Sequence, residues 1–290
     1  MLDIKGLADC HTHCMFSPDA QDEPEKHLLK AKELGLKALA ITDHCECNTW
    51  FEAEYYGIDS SAAEKDDIIM YNCKKFHENG NSVLDKLEIP DDIEFIRGIE
   101  LGQPLQAQDI AEQLISEPQL DIILGSLHNN KDMPDFYYLK YDEMSCSQIK
   151  KLLDDYFEQV LEMCRWGGFD ILSHLTYPLR YICGKYKMGV DLSVYRDICA
   201  EIFKTVIGSG KGIEINTSGL FNDLNDTMPP KGLVMLYKDL GGEIITLGSD
   251  AHCSADVGQG ISRGAELAKE CGFGYIAYYR RHKPDFISIK

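Results

Sequence analysis

The chain has 290 residues, of which 44% are hydrophobic and 27% charged, enough apolar material for a large core and too much for a disordered segment. A formal charge of −19 argues against nucleic acid or an anionic membrane surface as partners, since both require basic patches; it leaves room for a small anionic substrate, because bound metal inverts the local sign. No run approaches the roughly 20 apolar residues of a membrane helix, Met1–Lys5 lacks the regions of a signal peptide, and 11 cysteines without a framework read as reduced thiols of a cytoplasmic protein.

In chain order, strands are expected at Lys5–His11, Lys37–Asp43, Glu94–Glu100, Leu120–His128, Phe169–His174, Gly212–Thr217 and Glu243–Asp250. Most are continuous apolar runs, such as Ala38-Leu39-Ala40-Ile41, as parallel strands buried on both faces require. Helical patterns fill most of the gaps. Glu25 to Leu34 stops at Gly35, and Ser147 to Trp166 carries one apolar stripe before Gly167-Gly168. Ser193 is the expected N-cap of a helix ending at Gly208. Pro229-Pro230 opens another that runs through Leu240, and a last one covers Ala265 to Cys271. Strand and helix alternating in this way predict a parallel α/β barrel of seven strands, formed by one domain over residues 1–290. Cys45–Asp92 and Asn129–Asp142 are irregular, apart from a helical pattern over Glu64–Leu87 interrupted at Asn79-Gly80-Asn81. Each follows a strand end, where a loop forms a wall, a lid or an ordinary insertion.

Histidines gather at these strand ends. His11 and His13 share one face of the first strand, and a lone pair of this kind reads equally as two imidazoles satisfied in a turn. Here His44, His128, His174 and His252 follow other apolar runs, joined by Asp19, Glu100 and Asp250. Six of the chain's nine histidines thus converge with three carboxylates on one rim, more donors than a single tetrahedral ion uses and a fit for two or three divalent ions such as zinc, manganese or iron. His27, His77 and His282 are expected to pack or face solvent. Cys10, Cys14, Cys45 and Cys47 lie nearby, but Cys10 alternates away from the pair and Cys45-Glu46-Cys47 is too tightly spaced for a thiolate site.

Asp9-x-His11-x-His13, Thr42-Asp43-His44, Gly98-Ile99-Glu100, Gly125-Ser126-Leu127-His128, Ser173-His174 and Gly248-Ser249-Asp250-Ala251-His252 resemble, in order, the motifs of the polymerase and histidinol phosphatase (PHP) family. The resemblance implies a distorted seven-stranded β/α barrel with a di- or trinuclear centre. It implies that His11, His13, Glu100 and Asp250 hold one ion, that Glu100 bridges to a second held by His128 and His174, and that Asp19, His44 and His252 hold a third. Phe16-Ser17-Pro18-Asp19, Glu214-Ile215-Asn216-Thr217-Ser218-Gly219-Leu220 and the tail from Tyr278 to Pro284 are similar to the stand-alone histidinol phosphatases of that family. Two departures stand out. Phe221 occupies a place where the family often has arginine, and Asn129 follows His128.

The expected activity is hydrolysis of a small phosphate monoester, by resemblance L-histidinol phosphate in histidine biosynthesis, through in-line attack of a metal-bridging hydroxide. Glu100, Asp250 and His252 are the candidate catalytic residues, and either His252 or a metal-bound water protonates the leaving alkoxide. Arg180 is the first candidate for binding the substrate's phosphate, with Lys187 and Arg263 behind it. A nucleotide or sugar phosphatase is the nearest alternative, and a non-catalytic metal-bound scaffold is the alternative of a different class.

Overall fold

The computed structural model describes residues 2–59 and 71–289. Its main sheet contains β1 (Ala8–Asp9), β2 (Ala38–Ile41), β3 (His44–Glu46), β4 (Glu94–Gly102), β5 (Ile122–Ser126), β6 (Ile171–Leu172), β7 (Gly212–Asn216) and β8 (Ile245–Gly248). All pairs are parallel, in the order β1-β2-β4-β5-β6-β7-β8, and the short β3 pairs with the far end of β4. The outer strands then meet: Cys10 N donates to Leu247 O and Asp250 N to His11 O, both at 2.8 Å, and Thr12 bridges Ala251. The seven strands expected from the sequence therefore curl into a nearly closed barrel.

β1, β5, β6 and β8 are shorter than expected at both ends, and past the C-terminal ends of β6 and β8 the backbone departs from extended geometry. Asp250 has φ +55° and Thr176 φ +88°, conformations that L-residues rarely adopt and strands do not accommodate.

The helices are α1 (Pro24–Leu34), α2 (Cys73–Leu84), α3 (Gln108–Ile115), α4 (Cys146–Trp166), α5 (Arg196–Gly208), α6 (Lys231–Asp239) and α7 (Ile261–Glu270). Gly35 ends α1 at φ +71°. Ser145 begins α4 with a capping box shared with Gln148. The cap expected at Ser193 is instead Asp191, whose carboxylate accepts Ser193 N–H and opens a 3₁₀ turn over Leu192–Tyr195 that leads into α5. The interruption expected at Asn79-Gly80-Asn81 does not occur. A Cβ on Gly80 would lie 3.1 Å from Phe16, so the glycine lets α2 approach that ring; residues 64–70 lie outside the described residues.

Strand alternation divides the core. Leu39, Ile99, Ile123, Ile213 and Leu247 pack with the helices, whereas Ala38, Ala40, Ile96, Ile122, Leu124 and Ile171 form an inner cluster with Ala277, Tyr278 and Tyr279. The last three belong to an antiparallel hairpin, β9 (Tyr275–Arg280) and β10 (Lys283–Ser288). Its tip lies against residues that precede β4, β5 and β6 or begin them: Arg280 pairs with Glu94 at 2.7 Å, His282 N donates to Asp121 O at 2.8 Å, and His282 Nδ1 lies 2.9 Å from Asp170. The hairpin thus closes the N-terminal mouth and leaves the C-terminal rim open.

Candidate metal centre

Period-two alternation carries the inner face from the apolar floor to the rim. On β4 it passes from Ile96 through Gly98 to Glu100, and along β5 from Ile122 through Leu124 and Ser126 to His128. The parallel register sets His44 beside Glu100.

Glu100 is the hub, 1% exposed. Its Oε1 lies 2.6 Å from His174 Nε2 and 3.1 Å from His128 Nε2, and accepts the Ser126 hydroxyl at 2.6 Å. Its Oε2 lies 2.8 Å from His44 Nδ1 and 3.5 Å from the Nε2 atoms of both His11 and His13. Asp250 Oδ1 lies 3.3 Å from His13 Nε2 and 3.7 Å from His11 Nε2. At the outer edge Asp19 reaches His44 Nε2 at 3.6 Å and His252 Nε2 at 3.3 Å. All nine donors expected from the sequence meet in this one cluster.

The cluster fits divalent cations better than protons. His11 Nε2 faces His13 Nε2 at 3.0 Å, and His128 Nε2 faces His174 Nε2 at 3.2 Å. Glu100 Oε2 is buried and makes no hydrogen bond among the described residues, although His44 Nδ1 lies 2.8 Å away, a cost of about 1–3 kcal/mol unless an ion takes the place of the missing partner. Burial opposes charge on His11, His44 and His128, yet nearby carboxylates hold all three well above the usual imidazole range. Burial likewise raises Glu100 and Asp250, and the surrounding histidines outweigh it and hold both well below the carboxylate range. His13 is pushed down to about 3 by burial, then by His44 and His252. This field attracts positive charge, and imidazole and carboxylate donors suit zinc, iron and manganese. Among the described residues, the triads compact enough to hold an ion are His13–His44–His252, His11–His13–Asp250 and His44–Glu100–His128. None contains a thiol. Cys10 Sγ turns away toward Ala277 O, Cys14 Sγ contacts Asp43, and Cys45 Sγ contacts His77.

Above the donors is a cavity of about 580 Å³ whose wall includes Asp135, Tyr137, Tyr138, Tyr177, Arg180 and Tyr181. Arg180 opens a short π-type turn, Arg180–Lys185, and its Nη1 lies 3.8 Å from Asp250 Oδ2. The other two candidate cations are not part of this wall. Lys187 pairs with Asp223 at the surface, 3.4 Å away, and the Arg263 guanidinium stacks 5.8 Å from the Phe221 ring, which does line the cavity.

Three acidic residues were not singled out as site residues from the sequence. Glu214 binds His11 Nδ1 at 2.7 Å and the His174 N–H at 2.8 Å. Glu46 Oε1 lies 2.9 Å from His128 Nδ1. Asp135 faces the cavity with its pKa raised to about 6, burial outweighing the His128 charge and the Tyr137 N–H. Glu214 sits inside a motif read only as a whole, and the other two lie in segments without a pattern of their own.

A parallel barrel with imidazoles and carboxylates gathered at its open rim defines a class of protein, one built to hold divalent metal at its strand ends. A family model described as the PHP domain matches residues 9–218, and the chain belongs to that family. A Lactococcus lactis protein named histidinol-phosphatase is 27% identical over 286 residues, 96% of this chain and 96% of its own. A Thermotoga maritima protein named "Probable histidinol-phosphatase" is 27% identical over 272 residues, 93% of this chain and 95% of its own. A crystal structure of histidinol phosphate phosphatase from Lactococcus lactis, complexed with zinc, L-histidinol and phosphate, has the same fold, with a TM-score of 0.72 at 24% identity over 97% of this chain and 99% of that one.

Proposed function

We propose that this chain is a metal-dependent phosphomonoesterase, that its substrate is L-histidinol phosphate, and that residues 1–290 work as one domain. The observation that carries the reading is the division of Glu100: one oxygen faces His128 and His174, the other faces His11, His13 and His44. A carboxylate so placed would bridge two ions, the first held with His11, His13 and Asp250 and the second with His128 and His174. Asp19, His44 and His252 would hold a third. Divalent ions bound there would lower the pKa of water toward about 7 and neutralise phosphoryl oxygens. Zinc is the metal named for the similar structure, and iron and manganese suit the same donors.

The chain's own groups would do the rest. Arg180 offers a planar fork for two phosphate oxygens. Asp135 and the surrounding tyrosines suit a substrate with an ammonium and an imidazole. His252 Nδ1 lies 2.9 Å from Asp250 O and its Nε2 faces Asp19. With the Nδ1 proton engaged there and Nε2 used as a donor to metal, His252 has no proton for the leaving alkoxide, which favours water in that role.

The partner is a small phosphate ester, and the acidic chain argues against nucleic acid. No helix among the described residues is long and apolar enough to cross a membrane. A cytoplasmic setting accords with 11 free cysteines. The test is a substrate panel with metal fully loaded. Histidinol phosphate should exceed sugar phosphates and nucleotides in kcat/KM by at least about tenfold, about 1.4 kcal/mol of discrimination. Equal turnover of nucleotides would replace the substrate, and no turnover of any phosphate ester would favour a scaffold.

A further inference from the structure

Glu46 is one of the buried carboxylates that the proposed ligand set leaves unused. It lies on β3 opposite Gly102 of β4 and is 1% exposed. Its Oε1 lies 2.9 Å from His128 Nδ1 and 3.3 Å from His44 Nδ1. His128 turns its other nitrogen, Nε2, toward Glu100, and His44 turns its Nε2 toward Asp19. The two histidines belong to different ions in the ligand set above. Glu46 thus stands behind His128, on the side away from Glu100, and at His44 it shares the Nδ1 side of the ring with Glu100 Oε2, 2.8 Å away. A carboxylate in this position fixes which imidazole nitrogen carries the proton, holds the ring's orientation and raises its basicity toward metal.

The backbone accommodates it specifically. A Cβ on Gly102 would lie 2.2 Å from Glu46 Oε2, so only glycine leaves that oxygen its place. Glu214 has a similar setting, since it binds His11 Nδ1 at 2.7 Å and a Cβ on Gly248 would lie 2.0 Å from its Oε1. Glu214 reaches the ring of one histidine; Glu46 reaches the rings of two.

We infer that Glu46 is a positioning residue that supports His128 and His44 together, so that a single carboxylate outside the ligand set governs the affinity of two ions. The inference rests on the metal centre of the proposed function but not on its substrate. The experiment is metal occupancy, read by elemental analysis after equilibration in buffers of graded free zinc, on the full chain and on Glu46→Gln, Glu214→Gln and Gly102→Ala, each checked for folding by circular dichroism. In Glu46→Gln, two ions should need roughly 10- to 100-fold more free zinc for half-occupancy and should return at saturating zinc. Glu214→Gln should weaken mainly the ion held with His11. Gly102→Ala keeps the carboxylate but displaces it and should reproduce the Glu46→Gln pattern; it also serves as the test if Glu46→Gln does not fold.

A folded Glu46→Gln or Gly102→Ala chain with all half-occupancy points within about twofold of wild type would overturn the inference. Stoichiometry that stays one ion short at saturating zinc would also overturn it, by making Glu46 a ligand. A wild-type chain that binds no zinc would instead refute the proposed function. Turnover of a different phosphate ester would leave the role of Glu46 intact.

Discussion

Arg180 has two uses that its position allows, and they differ in size. Its Nη1 lies 3.8 Å from Asp250 Oδ2, with the arginine side chain about a third exposed and the aspartate buried, a long contact that by itself contributes about 0–1 kcal/mol. Its place in the cavity wall also gives it access to a phosphate, where a charge-assisted bond contributes roughly 1.5–3 kcal/mol. Arg180→Ala should therefore lower kcat/KM by about tenfold to 150-fold with metal content unchanged. A loss within about threefold would mean that the guanidinium only pairs with Asp250. Asp135 is tested by pH. Because burial raises its pKa to about 6, it is charged above that value and neutral below it. If it binds the substrate's ammonium, Asp135→Asn should raise KM at pH 8, and the gap from wild type should close as pH falls through about 6 or somewhat lower. Taking the difference cancels the substrate's own titrations; a gap that does not change with pH would remove Asp135 from amine recognition. At this scale the sequence was most informative where donors end apolar runs, as His11, His13, Glu100 and Asp250 do. Glu46, Glu214 and Asp135 were invisible as functional groups because their role depends on which histidine or cavity lies across the barrel, and no spacing along the chain encodes that.

Strands and long helices were legible because burial on both faces, or along one stripe, writes a period into the sequence. Gly35 ends α1 as expected, and an unforeseen capping box at Ser145 starts α4 one residue before the expected Ser147, but the displacement of the expected Ser193 cap to Asp191 shows how a 3₁₀ turn can shift a boundary by a few residues. The C-terminal hairpin was missed as an element for a definite reason. Its two-residue turn, Arg281-His282, has φ +48° and +61°, the type I′ geometry usually announced by Asn-Gly or Asp-Gly. Neither residue carries that signal. The hairpin nonetheless forms the barrel floor, and Tyr279 shows how well it fits. The ring is among the largest fully buried side chains, while its hydroxyl has no hydrogen bond among the described residues. Tyr279→Phe should stabilise the chain by about 1 kcal/mol by removing an unsatisfied group. Tyr279→Ala should cost about 3–5 kcal/mol through the cavity it leaves. Denaturant midpoints with unchanged slopes would measure both. A destabilised Tyr279→Phe would mean that the hydroxyl has a partner, such as an ordered water.

The whole molecule brings the acidic balance and the barrel architecture to bear on one question, what neutralises the rim. Closing the sheet between β1 and β8 forces Asp19, Glu100 and Asp250 together with Glu46 and Glu214, in a chain that already carries a formal charge of −19. With ions bound, that concentration of charge becomes a source of stability, because the folded rim binds them and the unfolded chain does not. An ion present at 100 times its dissociation constant adds about 2.7 kcal/mol by linkage, and two or three add roughly 5–8 kcal/mol. At roughly 2–4 °C per kcal/mol for a chain near this size, full removal of metal should lower Tm by roughly 10–30 °C. The as-purified protein should contain two to three transition-metal ions per chain. Stripping with chelator should lower Tm by that amount, and restoring zinc should recover it in proportion to occupancy. Sodium chloride at matched ionic strength should not substitute, since screening does not place a coordinated cation against Glu100 Oε2. Fewer than one metal ion per chain before any chelator, or a Tm that moves by less than about 2 °C on stripping and reloading, would mean that protons rather than metals neutralise the rim, and the proposed chemistry would then have no basis in this site.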